Sequence, residues 1–379
     1  MVKELIIHLG DTKTGSTTLQ GVLRSGSYTL PGAQQLSYPG RHLNHNYLAQ
    51  GLYRKEKKAG NTRRFRKLHQ ALESSDADFA VVSAEHFQFA SPTHLQQVIQ
   101  ETLPGYEHKI RLISYVRPHA EKLLSAFSEQ IKFGMVKGGL RGFFNRMSAR
   151  GTLDYTSRFL EWRNTFGDRF ELRPFVRQEL FREDISADFF HFLTGEEGTE
   201  LQGKTVDNPA LTVGQIALLQ HVHHVFRSEA ARQEIDRKLM RRALTALSQA
   251  VTQEIKRTGI GKETGRLHIP RSLIGKVIDR YQEDAAALDA AFFTGTPMTE
   301  ALQAAPQKLS GKKQSFSAAD YFDTETLLGV EALSGALSAL ALHTPEQFQK
   351  KMKAAYRQNG NRGSTGGANL PAGCPCRDA

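Results

Sequence analysis

Nine consecutive residues, Gly10-Asp11-Thr12-Lys13-Thr14-Gly15-Ser16-Thr17-Thr18, combine two glycines, one lysine and a run of hydroxyls. A loop of this kind that opens a helix turns successive backbone N–H groups toward one point. The helix dipole adds positive potential there, so the chemistry such a loop suits is the holding of a phosphate or sulfate. Two further groups could serve the same ligand. Arg117 ends an apolar run, Ile113-Ser-Tyr-Val-Arg117, and Ser125 follows eight positions later. With Pro118 at the first helical position, Ser125 falls about two turns on, roughly 10 Å along the axis. A long arginine and a short hydroxyl can then meet at one phosphate. The third candidate is Glu85, which closes the run Val81-Val-Ser83-Ala84-Glu85. A partly desolvated carboxylate at a strand end suits a general base.

The spacing Gly10-x4-Gly15 matches that of a nucleotide-binding P-loop, but Ser16 stands where such a loop carries its lysine. The lysine comes earlier, at position 13, inside the turn. There it suits contact with the bridging oxygen between a terminal group and the phosphate beside it. A sulfuryl group carries less charge than a γ-phosphoryl and can be transferred by positioning and electrostatics without a metal.

Thr12-Lys13-Thr14-Gly15-Ser16-Thr17-Thr18-Leu19-Gln20 resembles the 5′-phosphosulfate loop of sulfotransferases that use 3′-phosphoadenosine 5′-phosphosulfate (PAPS), in particular their bacterial and heparan-type members. Thr12 replaces the usual proline and Ser16 a threonine. The resemblance implies that Lys13, Thr14, Gly15, Ser16, Thr17 and Thr18 hold the phosphosulfate and that Arg117 with Ser125 holds the 3′-phosphate. It implies that Glu85, in a segment similar to the family's Ser-Ser-Glu, takes the acceptor's proton, with Lys13 stabilising the departing phosphate. Tyr38-Pro39-Gly40 with Asn44-His45 resembles a stretch of bacterial members, so His45 is a candidate for the acceptor site; a surface or helix-capping histidine is the competing reading. Asn208-Pro-Ala-Leu211 sits where relatives often carry Asn-x-Ser-Leu, and alanine replaces the serine. The expected reaction is sulfuryl transfer from PAPS, released as adenosine 3′,5′-bisphosphate, to a hydroxyl or amine of a small-molecule or saccharide acceptor. No metal is expected. Two alternatives stand beside it: a kinase-like enzyme using ATP, and a protein that binds PAPS or adenosine 3′,5′-bisphosphate without turnover.

These residues need a scaffold that brings strand ends together. Apolar or β-branched runs predict strands at 4–10, 79–83, 110–116 and 170–175, with helices near 63–73, 94–102 and 119–133. Alternating strands and helices predict an α/β fold, a P-loop-type, mostly parallel sheet flanked by helices. Such sheets bind ligands beyond the carboxyl ends of their strands, where the loop, Glu85 and Arg117 all fall. From 211 to 293 the pattern is mainly helical, and another helix is expected at 325–342. The resulting division is a sulfotransferase domain over 1–295, an extension of unassigned role over 296–358, and a disordered tail over 359–379, dense in Gly, Asn and Pro.

Composition narrows the classes. Of 379 residues, 39% are hydrophobic and 23% charged, as in globular proteins. Cys374 and Cys376 are the only cysteines, which excludes a disulfide framework and a core thiol nucleophile. No run approaches the roughly 18 uninterrupted apolar residues of a membrane span, and the short run Leu5–Leu9 does not read as a secretory signal, so a cytoplasmic location is expected. The net charge of +11 is concentrated between Arg54 and Lys67, with eight basic residues against Glu56. No interleaved aromatics accompany it, so it reads as a solvated face or a rim attracting an anionic ligand rather than a nucleic-acid module. His221, His223 and His224, without acids or cysteines beside them, read as a solvated helix face rather than a metal site.

Overall fold

The computed structural model describes residues 1–202 and 210–343, together with 347–348, 350–351 and 354. Asn208 and the tail 359–379 lie outside the described residues. In chain order the first strands are β1 (Glu4–His8), β2 (Tyr28–Thr29), β3 (Leu36–Ser37), β4 (Phe79–Ser83) and β5 (Ile110–Val116). After them come β6 (Phe170–Pro174), β7 (Glu200–Leu201), β8 (Ile269–Pro270) and β9 (Ser310–Gly311).

The principal sheet is five-stranded and entirely parallel, in the order β3-β4-β1-β5-β6. Its centre carries continuous apolar runs because helices cover both faces. Leu5, Ile6, Ile7, Ala80, Val81, Val82, Leu112 and Ile113 are all buried. The expected α/β class with a mostly parallel sheet is therefore what the chain forms. The predicted strands at 79–83 and 110–116 agree to the residue.

The helices that follow the strands are α1 (Ser16–Ser25), α2 (Asn46–Tyr53), α3 (Asn61–Glu73), α4 (Pro92–Thr102) and α5 (His119–Lys132). Next come α6 (Leu140–Ala149), α7 (Thr156–Phe166), α8 (Ile185–Thr194), α9 (Val213–Arg232) and α10 (Arg237–Thr258). The last are α11 (Arg271–Phe292), α12 (Pro297–Gln303), α13 (Ala305–Lys308) and α14 (Thr324–His343).

Two compact units result. The first holds Met1–Phe127, Gly139–Ala210 and His268–Gln314; the second holds Ser128–Gly138, Leu211–Leu267 and Ser315–Ala379. This division differs from the boundary at 295 read in the sequence. Residues 296–314 stay with the sheet unit because β9 pairs with β8 and because α12 is tied to α11: Asp289 accepts hydrogen bonds from the N–H groups of Met298 (2.9 Å) and Thr299 (2.8 Å). Asp284 on α11 likewise accepts from the N–H groups of Tyr155 (2.9 Å) and Thr156 (3.0 Å), supplying the N-terminal cap that α7 lacks from its own sequence.

In the second unit α9, α10 and α14 enclose Val222, Phe226, Leu244, Leu247 and Leu342. His223 belongs to this core, which corrects its reading as part of a solvated face. Its Nε2 lies 2.7 Å from the Ser248 hydroxyl, and burial pushes its pKa down to about 3. His221 lies 3.1 Å from the Glu331 carboxylate. α14 is the one described helix long and apolar enough, by length and composition alone, to cross a membrane. Its inward residues are Ser334, Ser338, Ala341 and Leu342, whereas Leu333, Leu337 and Leu340 are exposed.

β5 and β6 are locked to α8 by its buried Asp188. It accepts from the Tyr115 hydroxyl (2.6 Å) and the Phe181 N–H (2.9 Å) and pairs with Arg173 at 3.0 Å. Tyr115→Phe removes one donor from a carboxylate that water does not reach. The expected loss is about 1–3 kcal/mol, read from the midpoint of urea unfolding. An unchanged midpoint would show that the other two partners suffice.

Candidate functional site

β1 ends at His8, and the chain turns through Gly10–Gly15 into α1. The turn is possible because Gly10 and Gly15 take left-handed φ values of +36° and +76°. Lys13 also has φ +72°, a conformation that non-glycine residues rarely hold unless their surroundings impose it. Gly10 is needed for a second reason. A Cβ there would stand 3.1 Å from the Glu85 Cα and 3.3 Å from the Ser16 hydroxyl. The loop and the end of β4 therefore lie backbone against backbone, and Glu85 is brought to the loop as the sequence predicts.

A buried ion cluster holds the turn from beneath. The Asp11 carboxylate is 2% exposed and receives Lys122 Nζ at 3.0 Å and an Arg158 Nη at 3.2 Å. Lys122 also donates to the Thr12 carbonyl and lies 3.0 Å from the Thr12 hydroxyl. Within the loop the Thr14 hydroxyl donates to the Asp11 carbonyl at 2.6 Å. Burial raises the Asp11 pKa, but the two cations outweigh it and the net shift is downward. Burial also lowers the Lys122 pKa, with Asp11 opposing. Neither cation is suggested by the sequence near the loop. The one signal is Lys122 itself, a lysine beside Leu123 and Leu124 three residues before Ser125.

At the start of α1 the N-cap is Gly15, without a side-chain cap, and the first turn holds no acid. The helix presents its N–H groups and positive dipole end without a carboxylate of its own. The Ser16 hydroxyl, on a residue 2% exposed, has no hydrogen-bond partner. Thr17 is exposed and Thr18 half-buried on the same turn. Arg117 follows β5, the neighbour of β1. Its guanidinium lies over the Phe175 ring at 4.8 Å, and a Cβ on Gly15 would stand 3.3 Å from that same ring. One aromatic ring thus separates Arg117 from the loop. The Arg117 Nε is enclosed and unpartnered, and burial lowers the Arg117 pKa, opposed by Glu121. Ser125 is half-buried, two turns into the helix that follows.

His45 has a different task from the one its sequence context suggests. It is 1% exposed, its Nε2 lies 2.7 Å from the Pro39 carbonyl, and its Nδ1 accepts from the Ser83 N–H at 3.1 Å. Both ring nitrogens are spent on backbone, which staples the Tyr38–Gly40 turn to the end of β4. Beneath it the Ser83 hydroxyl accepts from the Gln20 amide at 3.0 Å and sits 2.8 Å from His8 Nδ1. His8 is buried against the rings of Tyr115 and Phe189.

Among the described residues no group of three or more His, Cys, Asp or Glu is placed to hold a metal ion. Comparisons with protein families, curated proteins and solved structures return no match for this chain.

Burial pushes the His8 pKa from 6.5 down to about 4. Between these values the unfolded chain binds a proton that the folded chain does not. The contribution of His8 is whole above pH 6.5 and is lost as pH falls toward 4, at up to about 1.4 kcal/mol per unit. His8→Gln should therefore flatten the fall in urea-unfolding stability between pH 6.5 and 4.5. An equally steep fall in the variant would assign the acid sensitivity elsewhere.

Proposed function

We propose that the chain is a sulfotransferase that moves a sulfuryl group from PAPS to a hydroxyl or amine of an acceptor, with a saccharide favoured by the resemblance. The observation that carries the reading is a pair of enclosed, unpartnered donors, Ser16 Oγ and Arg117 Nε, beyond the carboxyl ends of adjacent strands. A buried donor without a partner in the protein leaves hydrogen-bonding capacity that a ligand beyond the strand ends can use.

The residues fit PAPS in kind. The Gly10–Gly15 turn and the uncapped N-terminus of α1 suit a 5′-phosphosulfate, and Arg117, with Ser125 on the following helix, suits a 3′-phosphate. Bound there, the donor supplies an activated sulfur–oxygen bond whose cleavage leaves adenosine 3′,5′-bisphosphate. Glu85, held against Gly10, takes the acceptor's proton as the acceptor oxygen bonds to sulfur. Lys13 and the helix N-terminus meet the charge left on the 5′-phosphate, an interaction that grows toward the transition state. Use of ATP with magnesium is less well supported. The single acid of the loop, Asp11, is consumed by Lys122 and Arg158, and Ser16 stands at the usual lysine position.

Adenosine 3′,5′-bisphosphate should raise the melting temperature well above any rise from ADP or from ATP with magnesium, and Arg117→Ala should abolish the difference. Equal shifts from all three nucleotides would count against a 3′-phosphate site. In assays with labelled PAPS and a working acceptor, Glu85→Gln should lower turnover about 10²–10⁴-fold and leave nucleotide affinity nearly intact. Loss of nucleotide binding in that variant would make Glu85 structural. Nucleotide binding with no turnover on any acceptor would favour a non-catalytic binding protein.

A further inference from the structure

The polarity of α14 is reversed for a helix in water. A helix on a wet surface turns its leucines to the core and its serines outward. Here the buried residues are Ser334, Ser338, Ala341 and Leu342, and the Ser338 hydroxyl is spent on the helix's own backbone, donating to the Ser334 carbonyl at 2.5 Å. Leu328, Leu333, Leu337 and Leu340 are exposed, three of them at 60% or more. At 3.6 residues per turn they fall on the outer half of the helix with Ala332 and Ala336, which are exposed too. Glu331 is the one charged side chain between Glu325 and His343, and it turns to His221 at 3.1 Å. The outer half is therefore a strip of hydrocarbon, about 30 Å long and about 10 Å wide.

The direction of α14 within its unit decides what borders that strip. A Cβ on Gly261 would stand 3.0 Å from the Phe322 ring and 3.5 Å from Gln215, so α14 begins beside the start of α9. Glu331 meets His221 farther along, so the two helices run parallel. Ala341, Leu342 and Phe348 then share a core with Ala230, Ile235 and Met240. The strip thus ends where α9 gives way to α10, and that end is basic. Arg237, Lys238, Arg241, Arg242, Lys350 and Lys351 are all exposed there. Of the acids beside them, Asp236 is spent capping α10 and Glu229 pairs with Arg232, which leaves Glu234 among the described residues.

We propose that the outer face of α14 and the basic end beside it dock the protein on an anionic lipid bilayer, with α14 lying in the plane of the interface. The leucines enter the boundary between headgroups and acyl chains, about 5–10 Å deep, and the cations meet the charged headgroups. The helix lies on the bilayer rather than across it, because its other face is part of the core that α9 and α10 enclose. A second copy of the chain fits the strip less well. The strip offers on the order of 300 Å², against about 800 Å² per partner in a stable interface. The cations at its end also call for an anionic partner. The inference stands apart from the sulfuryl-transfer reading.

The test is co-sedimentation of the full chain with vesicles of pure phosphatidylcholine and with vesicles of phosphatidylcholine and phosphatidylglycerol at about 3:1. The chain should bind the anionic vesicles about 10-fold more tightly, and added salt should weaken that binding. Leu333→Ser with Leu340→Ser should lower the affinity about 10-fold. Arg237→Gln, Lys238→Gln and Arg241→Gln together should bring the anionic vesicles down to the level of the neutral ones. All five positions are exposed, and a circular dichroism melt checks that each variant folds; the charge variant keeps the test open if the serine variant does not. Failure to bind either vesicle overturns the proposal, and so does equal binding to both. Binding untouched by the serine substitutions places the contact elsewhere and overturns the role of α14. A dimer in sedimentation velocity that the serine substitutions dissolve, without vesicle binding, gives the strip to a second copy and overturns the bilayer.

Discussion

A carboxylate removed from water must be met by positive charge, and the loop between β1 and α1 is organised around that requirement. Asp11 cannot stay ionised at 2% exposure unless Lys122 and Arg158 reach it, and both do. Breaking such a buried pair from one side costs about 3–5 kcal/mol, because the remaining charges are stranded. The cluster therefore does more than add stability. Through Lys122 it also grips the Thr12 carbonyl and hydroxyl, so α5 and α7 hold the turn that opens α1. The left-handed backbone at Lys13 is held within that grip.

Pre-organisation of this kind is what an anion site needs. Donors aimed at a fixed point lose little on binding, whereas a mobile loop would have to be ordered first. The same logic extends outward. His45 ties the Tyr38–Gly40 turn to the end of β4, two residues before Glu85, and the closeness of Gly10 to Glu85 leaves no room for a side chain between Glu85 and the loop. Phe175 separates Arg117 from the loop at a distance set by one ring.

Much of this frame was legible in the residues. β4 and β5 read directly because buried parallel strands need unbroken apolar, β-branched runs, and Phe79–Ser83 and Ile110–Val116 supply them. The two-residue β3 carries no such pattern, and α6, α7 and α8 were not anticipated. For α7 the reason is visible: its N-terminal cap comes from Asp284, far along the chain on α11. The placement of the loop, Glu85 and Arg117 just beyond β1, β4 and β5 was legible because local spacing defines it. Lys122 and Arg158 were not, since they lie 111 and 147 residues from Asp11 and only the fold brings them together. His45 shows the opposite failure. Its sequence neighbours suggest chemistry, but the fold spends both its nitrogens on backbone. His223 fails likewise, since polarity on a helix gives no warning that Ser248 lies opposite to satisfy it.

In the proposed site two separate poles, Ser16 with the helix terminus and Arg117, hold the two ends of one ligand. Phosphorus NMR of adenosine 3′,5′-bisphosphate bound to the protein tests it directly, because the 3′ and 5′ phosphates resolve. Both resonances should shift on binding to the native chain. Ser16→Ala should return mainly the 5′ signal toward its free position, and Arg117→Ala mainly the 3′ signal. A single resonance perturbed by both substitutions, or neither signal shifted at saturating protein, would contradict the account.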